Sequence, residues 1–148
     1  QAVSGGLGPL GVFHGFQELM GMGLIDKVPK LGFIQADGCS PMTQAFRAGL
    51  RNASPVIPNT RIAILSTGDP GTTYSYLWDL IQKYGGHIDA VPDQDAFTTM
   101  RNLAKNEGLA VEPATSVAFA GLEKMINEKA IIGQFCLPSS DIRRIPSP

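Results

Sequence analysis

Short apolar, β-prone runs alternate along this chain with turns and with longer segments of helical periodicity, and this order constrains the fold more than any other feature. The predicted strands are residues 30–36, 61–65, 87–91 and 129–137. The predicted helices are residues 9–22, 41–49, a segment that follows the turn 66–72 and ends before Gly85, residues 94–106 and residues 117–127. A repeated strand, turn, helix order predicts an α/β fold, a three-layer sandwich in which a mainly parallel sheet carries helices on both faces.

The segment Ser4-Gly5-Gly6-Leu7-Gly8 lies between an apolar start and the first predicted helix. Glycines adopt positive φ easily and allow a ligand to approach the backbone without meeting a Cβ atom. Pro9 suits the first turn of a helix, where its missing N–H group costs nothing. The positive end of that helix favours a phosphate, so the segment is predicted to be an anion cradle. A plain glycine-rich turn between a strand and a helix is the alternative.

Three turns that follow predicted strands or a short apolar run contain small or hydroxyl-bearing residues: 4–8, 66–72 and 112–116. In a parallel α/β sheet, ligands bind outside the carboxyl ends of the strands. Each turn alone also fits ordinary turn chemistry. Together they predict one shared ligand site.

The composition is typical of a single globular domain without nucleic-acid or membrane partners. A chain of 148 residues with a net charge of −1 and no basic cluster predicts one domain with a real core and no nucleic-acid or membrane-surface partner. No apolar run is as long as the roughly 20 residues of a membrane span. Cys39 and Cys136 are far apart and are interpreted as free or buried thiols of a reducing, cytoplasmic compartment, and His14 and His87 lack metal-ligand spacing.

Several segments match a known family in order and spacing. In 32–41, a Gln-Ala-Asp-Gly run precedes a proline, and in 64–70 a strand runs into a Gly-Asp-Pro turn. The other matching segments are 1–8, 85–91, 107–116 and 120–122. Together they resemble the fold-type II pyridoxal-phosphate enzymes, and among these the threonine synthases and the related cysteate synthase. Asp69 stands where that family has asparagine.

The resemblance implies the large domain of a tryptophan synthase β-like fold, with pyridoxal 5′-phosphate as the cofactor of the complete enzyme. It implies that the backbone N–H groups of Ser4, Gly5, Gly6, Leu7 and Gly8 hold the cofactor phosphate. It places the helix after Glu112 beside the cofactor ring, with Ser139 as the nearest candidate for the hydroxyl that faces the pyridine nitrogen. Pro138 departs from the family pattern there.

The implied reaction is β,γ-replacement of phosphate on a phosphorylated amino acid, O-phosphohomoserine. A cysteate synthase-like reaction on phosphoserine and an amino-acid dehydratase-like reaction remain alternatives. A non-catalytic module that binds a phosphorylated ligand, or a pseudo-enzyme subunit, is the alternative of another class.

The lysines depart from the family pattern more seriously. The family's Schiff-base lysine lies in a Ser-x-Lys segment upstream of the glycine loop, and none of the six lysines of this chain has that context. We therefore expect a large-domain fragment without catalytic residues, inactive alone and binding the cofactor weakly or not at all. Residues 1–137 are predicted to be the partial domain and 138–148 a disordered tail. Uncovered apolar surface predicts a homo-oligomer.

Overall fold

The computed structural model describes residues 1–128. Its helices are α1 (Leu7–Gly21), α2 (Pro41–Arg47), α3 (Gly71–Tyr84), α4 (Asp93–Glu107) and α5 (Pro113–Asn127), and its strands are β1 (Leu31–Ala36) and β2 (Gly86–Val91). The predicted strand 129–137, the predicted tail 138–148 and Ser139 lie outside the described residues.

Every strand pairing among residues 1–128 is parallel. β1 pairs with β2 from Leu31 opposite Gly86 to Ala36 opposite Val91. On the other side of β1, Ala2 forms an isolated parallel bridge with Ile34, and the Val3 amide donates to the Ile34 carbonyl oxygen at 2.9 Å. The chain start, β1 and β2 therefore lie side by side in that order, and residues 4–8 leave the sheet at its carboxyl edge.

Two hydrophobic clusters cover the two faces of this sheet. The first cluster packs α1, α2 and α3 against one face, and its fully buried members include Phe13, Phe33, Met42, Tyr74, Leu77 and Ile88. The second cluster packs α4 and α5 against the other face, and it includes Ile34, Val91, Ala96, Val117 and Met125. Neighbouring residues Phe33 and Ile34 point to opposite faces, as alternation along a strand requires. The predicted α/β fold with helices on both faces is confirmed.

One predicted strand is wrong. Residues 61–65 contain a 3₁₀ turn, Ala63–Leu65, in which the Leu65 amide donates to the Ile62 carbonyl oxygen at 2.8 Å. The side chain of Asp93 bends the chain here, since its oxygens accept from the Thr60 hydroxyl and from the Arg61 amide, each at 2.6 Å. A β-prone composition could not outweigh these long-range hydrogen bonds and the exposure of Ile64.

The helix positions follow the prediction, with shifted ends. α1 begins at Leu7, two residues before the predicted start, and α2 ends at Arg47. α5 begins at Pro113, well before the predicted Val117, because proline at the first helical position is compatible with helix geometry. The earlier start of α5 brings its N-terminus to Glu112.

A buried carboxylate ties the two helical layers together. Asp89, in the middle of β2, has a side chain only 4% exposed, and it forms ion pairs with Arg47 of α2 and Lys124 of α5. Lys124 Nζ lies 3.0 Å from both carboxylate oxygens and also donates to the Ala90 carbonyl oxygen at 2.9 Å. The Ala90 amide donates to Asp89 Oδ1 at 2.8 Å. Asp89 therefore links β2 to one helix from each layer.

Among residues 1–128, none of the helices combines the length and the apolar character needed to cross a lipid bilayer. Within the same range, no group of three or more His, Cys, Asp or Glu side chains is placed to hold a metal ion.

Candidate functional site

The segment Ser4–Gly8 turns from the sheet into the N-terminus of α1. Gly6 is the N-cap of α1, with φ 95° and ψ −4°, and its carbonyl oxygen accepts from the Leu10 amide at 3.2 Å. In the part of the chain that the structure describes, no backbone oxygen accepts a hydrogen bond from the amides of Gly5, Gly6, Leu7 or Gly8. The first turn of α1 has no acidic side chain to neutralise its positive end. These four N–H groups are available to an anion.

Close packing fixes the backbone at Gly6. A Cβ atom added there would lie 2.7 Å from Thr73 Cγ2, 3.0 Å from Met42 Cε and 3.1 Å from Leu77 Cδ1. Both the positive φ and the missing side chain are therefore required at this position. The glycine segment rests directly on α2 and α3.

The same segment forms one side of an open cleft of about 560 Å³. Two exposed apolar side chains border it, Leu7 at 76% and Ile64 at 67% exposure. The lining residues are Gln1 to Pro9, Ile64, Leu65, Glu112, Ala114, Thr115 and Ala118. The cleft thus combines free amides with a largely apolar surround.

The N-terminus of α5 forms the opposite side. Glu112 is its N-cap, in an extended conformation with φ −75° and ψ 159°, and Pro113 follows at the first helical position. The Ser116 amide donates to the Glu112 carbonyl oxygen at 3.1 Å, and the Ser116 hydroxyl donates to the Pro113 carbonyl oxygen at 2.7 Å. Two helix N-termini therefore border one cleft.

The remaining predicted turn, residues 66–72, contacts the glycine segment but does not line the cleft. The hydroxyl oxygens of Ser4 and Thr67 lie 2.7 Å apart, and the Thr67 amide donates to Ser4 Oγ at 3.3 Å. Of the three predicted turns, residues 4–8 and 112–116 contribute to the cleft lining, and residues 66–72 support the first of them.

Every predicted site residue that the structure describes lies at this cleft, namely Ser4, Gly5, Gly6, Leu7, Gly8 and Glu112. The sequence alone does not single out Thr67, Ile64 or Thr115 as individual site residues. Thr67 and Thr115 lay inside predicted turns, whereas Ile64 was placed on a strand. Cys39 is buried, and burial raises the pKa of its thiol, so it does not suit a nucleophile.

Comparison with known proteins identifies the family of this chain. The family model described as "Pyridoxal-phosphate dependent enzyme" matches residues 1–135. The threonine synthase of Methanocaldococcus jannaschii is 36% identical over 121 residues, which are 81% of this chain and 30% of that relative. The threonine synthase of Methanosarcina acetivorans is 32% identical over 124 residues, 83% of this chain and 30% of that relative. The chain spans about 30% of the length of these curated relatives.

Two solved structures show the same fold. The threonine deaminase of T.th. has a TM-score of 0.59 at 17% identity, and the match covers 90% of this chain and 44% of the deaminase chain. The processed form of threonine deaminase isoform 2 from Solanum lycopersicum has a TM-score of 0.61 at 14% identity, and the match covers 90% of this chain and 36% of that one. With the family match over most of its length, this chain belongs to the fold-type II pyridoxal-phosphate dependent enzymes and is threonine synthase-like within them.

Proposed function

We propose that this chain provides the phosphate-binding wall of a pyridoxal-phosphate site in a threonine synthase-like enzyme. The observation that carries the proposal is the row of amides from Gly5 to Gly8 at the N-terminus of α1, which have no backbone acceptor among residues 1–128. Each N–H group in such a row donates to a phosphate oxygen, and the helix adds positive potential. Ser4 directly precedes these four residues and is the first residue of the proposed phosphate-binding segment.

The residues of the cleft fit the cofactor. Its phosphate would lie against Ser4–Gly8, while its ring would lie toward Leu7, Ile64 and the start of α5. The carboxylate of Glu112 repels an anion, so we assign Glu112 to the ring side of the cofactor. When bound, pyridoxal phosphate supplies an electron sink for the negative charge that develops on the α-carbon of the amino-acid substrate. This chain's own part is to bind and orient it.

For the complete enzyme we propose β,γ-replacement of phosphate on O-phosphohomoserine. Support comes from the sequence relatives of 30% identity or more, which are named threonine synthases. The likeness to threonine deaminases is at 17% and 14% identity, and it reports the fold shared by both reactions. A dehydratase-like or cysteate synthase-like reaction would use the same phosphate wall, the segment Ser4–Gly8 at the N-terminus of α1. None of the six lysines lies in a Ser-x-Lys segment, so we propose that this chain alone does not turn over substrate.

The phosphate wall is testable by placing a charge in it. Gly8 lies in the first turn of α1 and lines the cleft. Gly8→Asp should weaken binding of inorganic phosphate by roughly tenfold or more, since two like charges about 4 Å apart repel by about 1–4 kcal/mol. The fold should survive, because a carboxylate near a helix N-terminus is stabilising. The readout is a phosphate titration of the ¹⁵N-labelled chain, followed at the amides of Gly5, Gly6 and Leu7.

Gly8→Asn is the matched control, because it has the same size without the charge and should retain most of the binding. Absence of phosphate-induced shifts at Gly5, Gly6 and Leu7 in the unmodified chain would contradict the phosphate wall. Tight binding of phosphoserine would favour a stand-alone binding module over part of an enzyme.

A second titration, with pyridoxal phosphate, tests the expectation about the lysines. The glycine-segment amides should shift as they do with phosphate, without a visible absorbance band from a covalent lysine adduct. A lysine-adduct band that stays with the chain after excess cofactor is removed would show that a lysine of this chain holds the cofactor and would contradict the expected weak or absent binding. Release of phosphate from O-phosphohomoserine by the chain would overturn the proposal that the chain alone is inactive.

A further inference from the structure

The glycine segment is attached to the turn 66–72 by a pair of hydrogen bonds. The Ser4 and Thr67 hydroxyl oxygens are 2.7 Å apart, and the Thr67 amide donates to Ser4 Oγ at 3.3 Å. The two residues are 63 positions apart in sequence, so this contact exists only in the folded chain. The methyl group of Thr67 lies 3.5 Å from the position that a Cβ atom would take at Gly5. Thr67 therefore contacts the first two residues of the segment.

The turn that holds Thr67 is itself firmly placed. The Val56 amide donates to the Gly68 carbonyl oxygen at 2.9 Å, and a Cβ atom at Gly68 would lie 2.2 Å from the Val56 carbonyl oxygen. Asp69 Oδ1 accepts from the Gly71 amide at 2.9 Å, immediately before α3. A residue on this turn can hold Ser4 in place, because its own backbone has little freedom.

The hydrogen bonds to Thr67 also limit which other groups the Ser4 hydroxyl can bind. A serine hydroxyl has one donor and two acceptor positions. Thr67 occupies one acceptor position of Ser4 Oγ through its amide, and the 2.7 Å contact occupies either the other acceptor position or the donor. At least two of the three hydrogen-bonding positions of Ser4 Oγ thus face Thr67.

We propose that Thr67 is a positioning residue: it engages the Ser4 hydroxyl and thereby holds the backbone of the glycine segment in its anion-binding conformation. Ser4 then contributes to the wall through its backbone. The expected effect on anion binding rests on the proposed function. The effect of Thr67 on the backbone of residues 4–8 does not, because it is measured in the ligand-free chain.

Amide hydrogen exchange of the ligand-free chain tests the holding directly. The reporters are the hydrogen-bonded amides on either side of the segment: the Val3 amide donates to the Ile34 carbonyl oxygen at 2.9 Å, and the Leu10 amide donates to the Gly6 carbonyl oxygen at 3.2 Å.

Thr67→Val keeps the shape and the amide of Thr67 but removes the hydroxyl, and it should speed exchange at Val3 and Leu10 by roughly three- to tenfold, the effect of one net hydrogen bond. Thr67→Ser restores the hydroxyl and should restore slow exchange at both amides. Exchange at Ile81 in α3 and Met125 in α5 reports whether the core is intact. Unchanged exchange at Val3 and Leu10 in Thr67→Val with an intact core would overturn the proposal.

A double-mutant cycle separates positioning from direct contact. Thr67→Val and Ser4→Ala should each weaken inorganic phosphate binding, Ser4→Ala at least as much because it also removes the acceptor of the Thr67 amide. The double variant should be no worse than Ser4→Ala. A loss in the double variant equal to the sum of the two single losses would mean that the two side chains act independently, which overturns the inference. If the unmodified chain binds no phosphate, the proposed function fails, while the exchange result still decides the role of Thr67.

Discussion

Gly6→Ala should destabilise the folded chain by about 2–5 kcal/mol and abolish phosphate binding. Two costs add at this position. A non-glycine residue in the left-handed region costs about 1–2 kcal/mol, and Gly6 has φ 95°. Overpacking a tight site typically costs about 1–3 kcal/mol, and the new methyl group would lie 2.7 Å from Thr73 Cγ2. Any relief must move either α3 or the glycine segment.

Urea unfolding monitored by circular dichroism measures the loss, and the phosphate titration measures the site. Gly15→Ala is the matched control on the same helix, because nothing lies within 4 Å of its added Cβ atom. We expect that control to gain about 0.5–1 kcal/mol, as alanine normally does over glycine inside a helix. Thr73→Ser removes the Cγ2 atom and should recover part of the Gly6→Ala loss. A Gly6→Ala variant as stable as the original chain would contradict the close packing of Gly6 on Thr73, Met42 and Leu77.

Asp89→Asn is expected to destabilise the chain by about 1.5–3 kcal/mol at neutral pH, the range for hydrogen bonds to charged groups. The amide cannot attract Arg47 and Lys124, and its NH₂ group would face their donors. Because Asp89 links α2 to α5 through β2, both helical layers should loosen. Asp79→Asn is the control, since Asp79 pairs with Arg51 on the exposed surface and should change stability little.

The pH dependence of the Asp89 effect has a definite sign. Burial raises the pKa of Asp89 and is the largest single influence, but hydrogen bonds from the Ala90 amide, Lys124 and Arg47 together lower the pKa below the ordinary 3.8. A carboxyl whose pKa is lower in the folded state stabilises fully above the unfolded pKa and loses that contribution as pH falls through the folded value. The difference between Asp89→Asn and the original chain should therefore stay constant near neutrality and shrink below pH 3.8. A difference that grows on acidification would contradict this assignment.

Most of the fold could be predicted because its signals are local. β1 and β2 are short apolar runs bounded by turns, and both are buried in their carboxyl halves. The 3₁₀ turn Ala63–Leu65 could not be predicted, because the bonds from Asp93 that bend the chain there come from a residue more than thirty positions away. Local composition carries no signal of such a partner.

The site was predictable to the same degree. Glycines before a helix predict an anion cradle, and parallel-sheet topology predicts that turns after different strands meet. Neither argument predicts that Thr67 pairs with Ser4 or that Lys124 reaches Asp89, since both contacts depend on how helices pack. The assignment of Ser4–Gly8 and Glu112 to a cofactor stays a prediction until a ligand is tested.

The separation of the core into two clusters has a consequence for cooperativity. Gly6, on one wall of the cleft, packs on Met42 and Leu77 of the first cluster, whereas the α5 end of the other wall belongs to the second cluster through Ala114. The cleft therefore lies on the boundary between two potential foldons, units that open separately in native-state exchange. A ligand that touches both walls binds only when neither has opened, so it raises the free energy of both partial openings by mass action. A phosphate-bearing ligand bound in the cleft would therefore stabilise both hydrophobic clusters against partial unfolding.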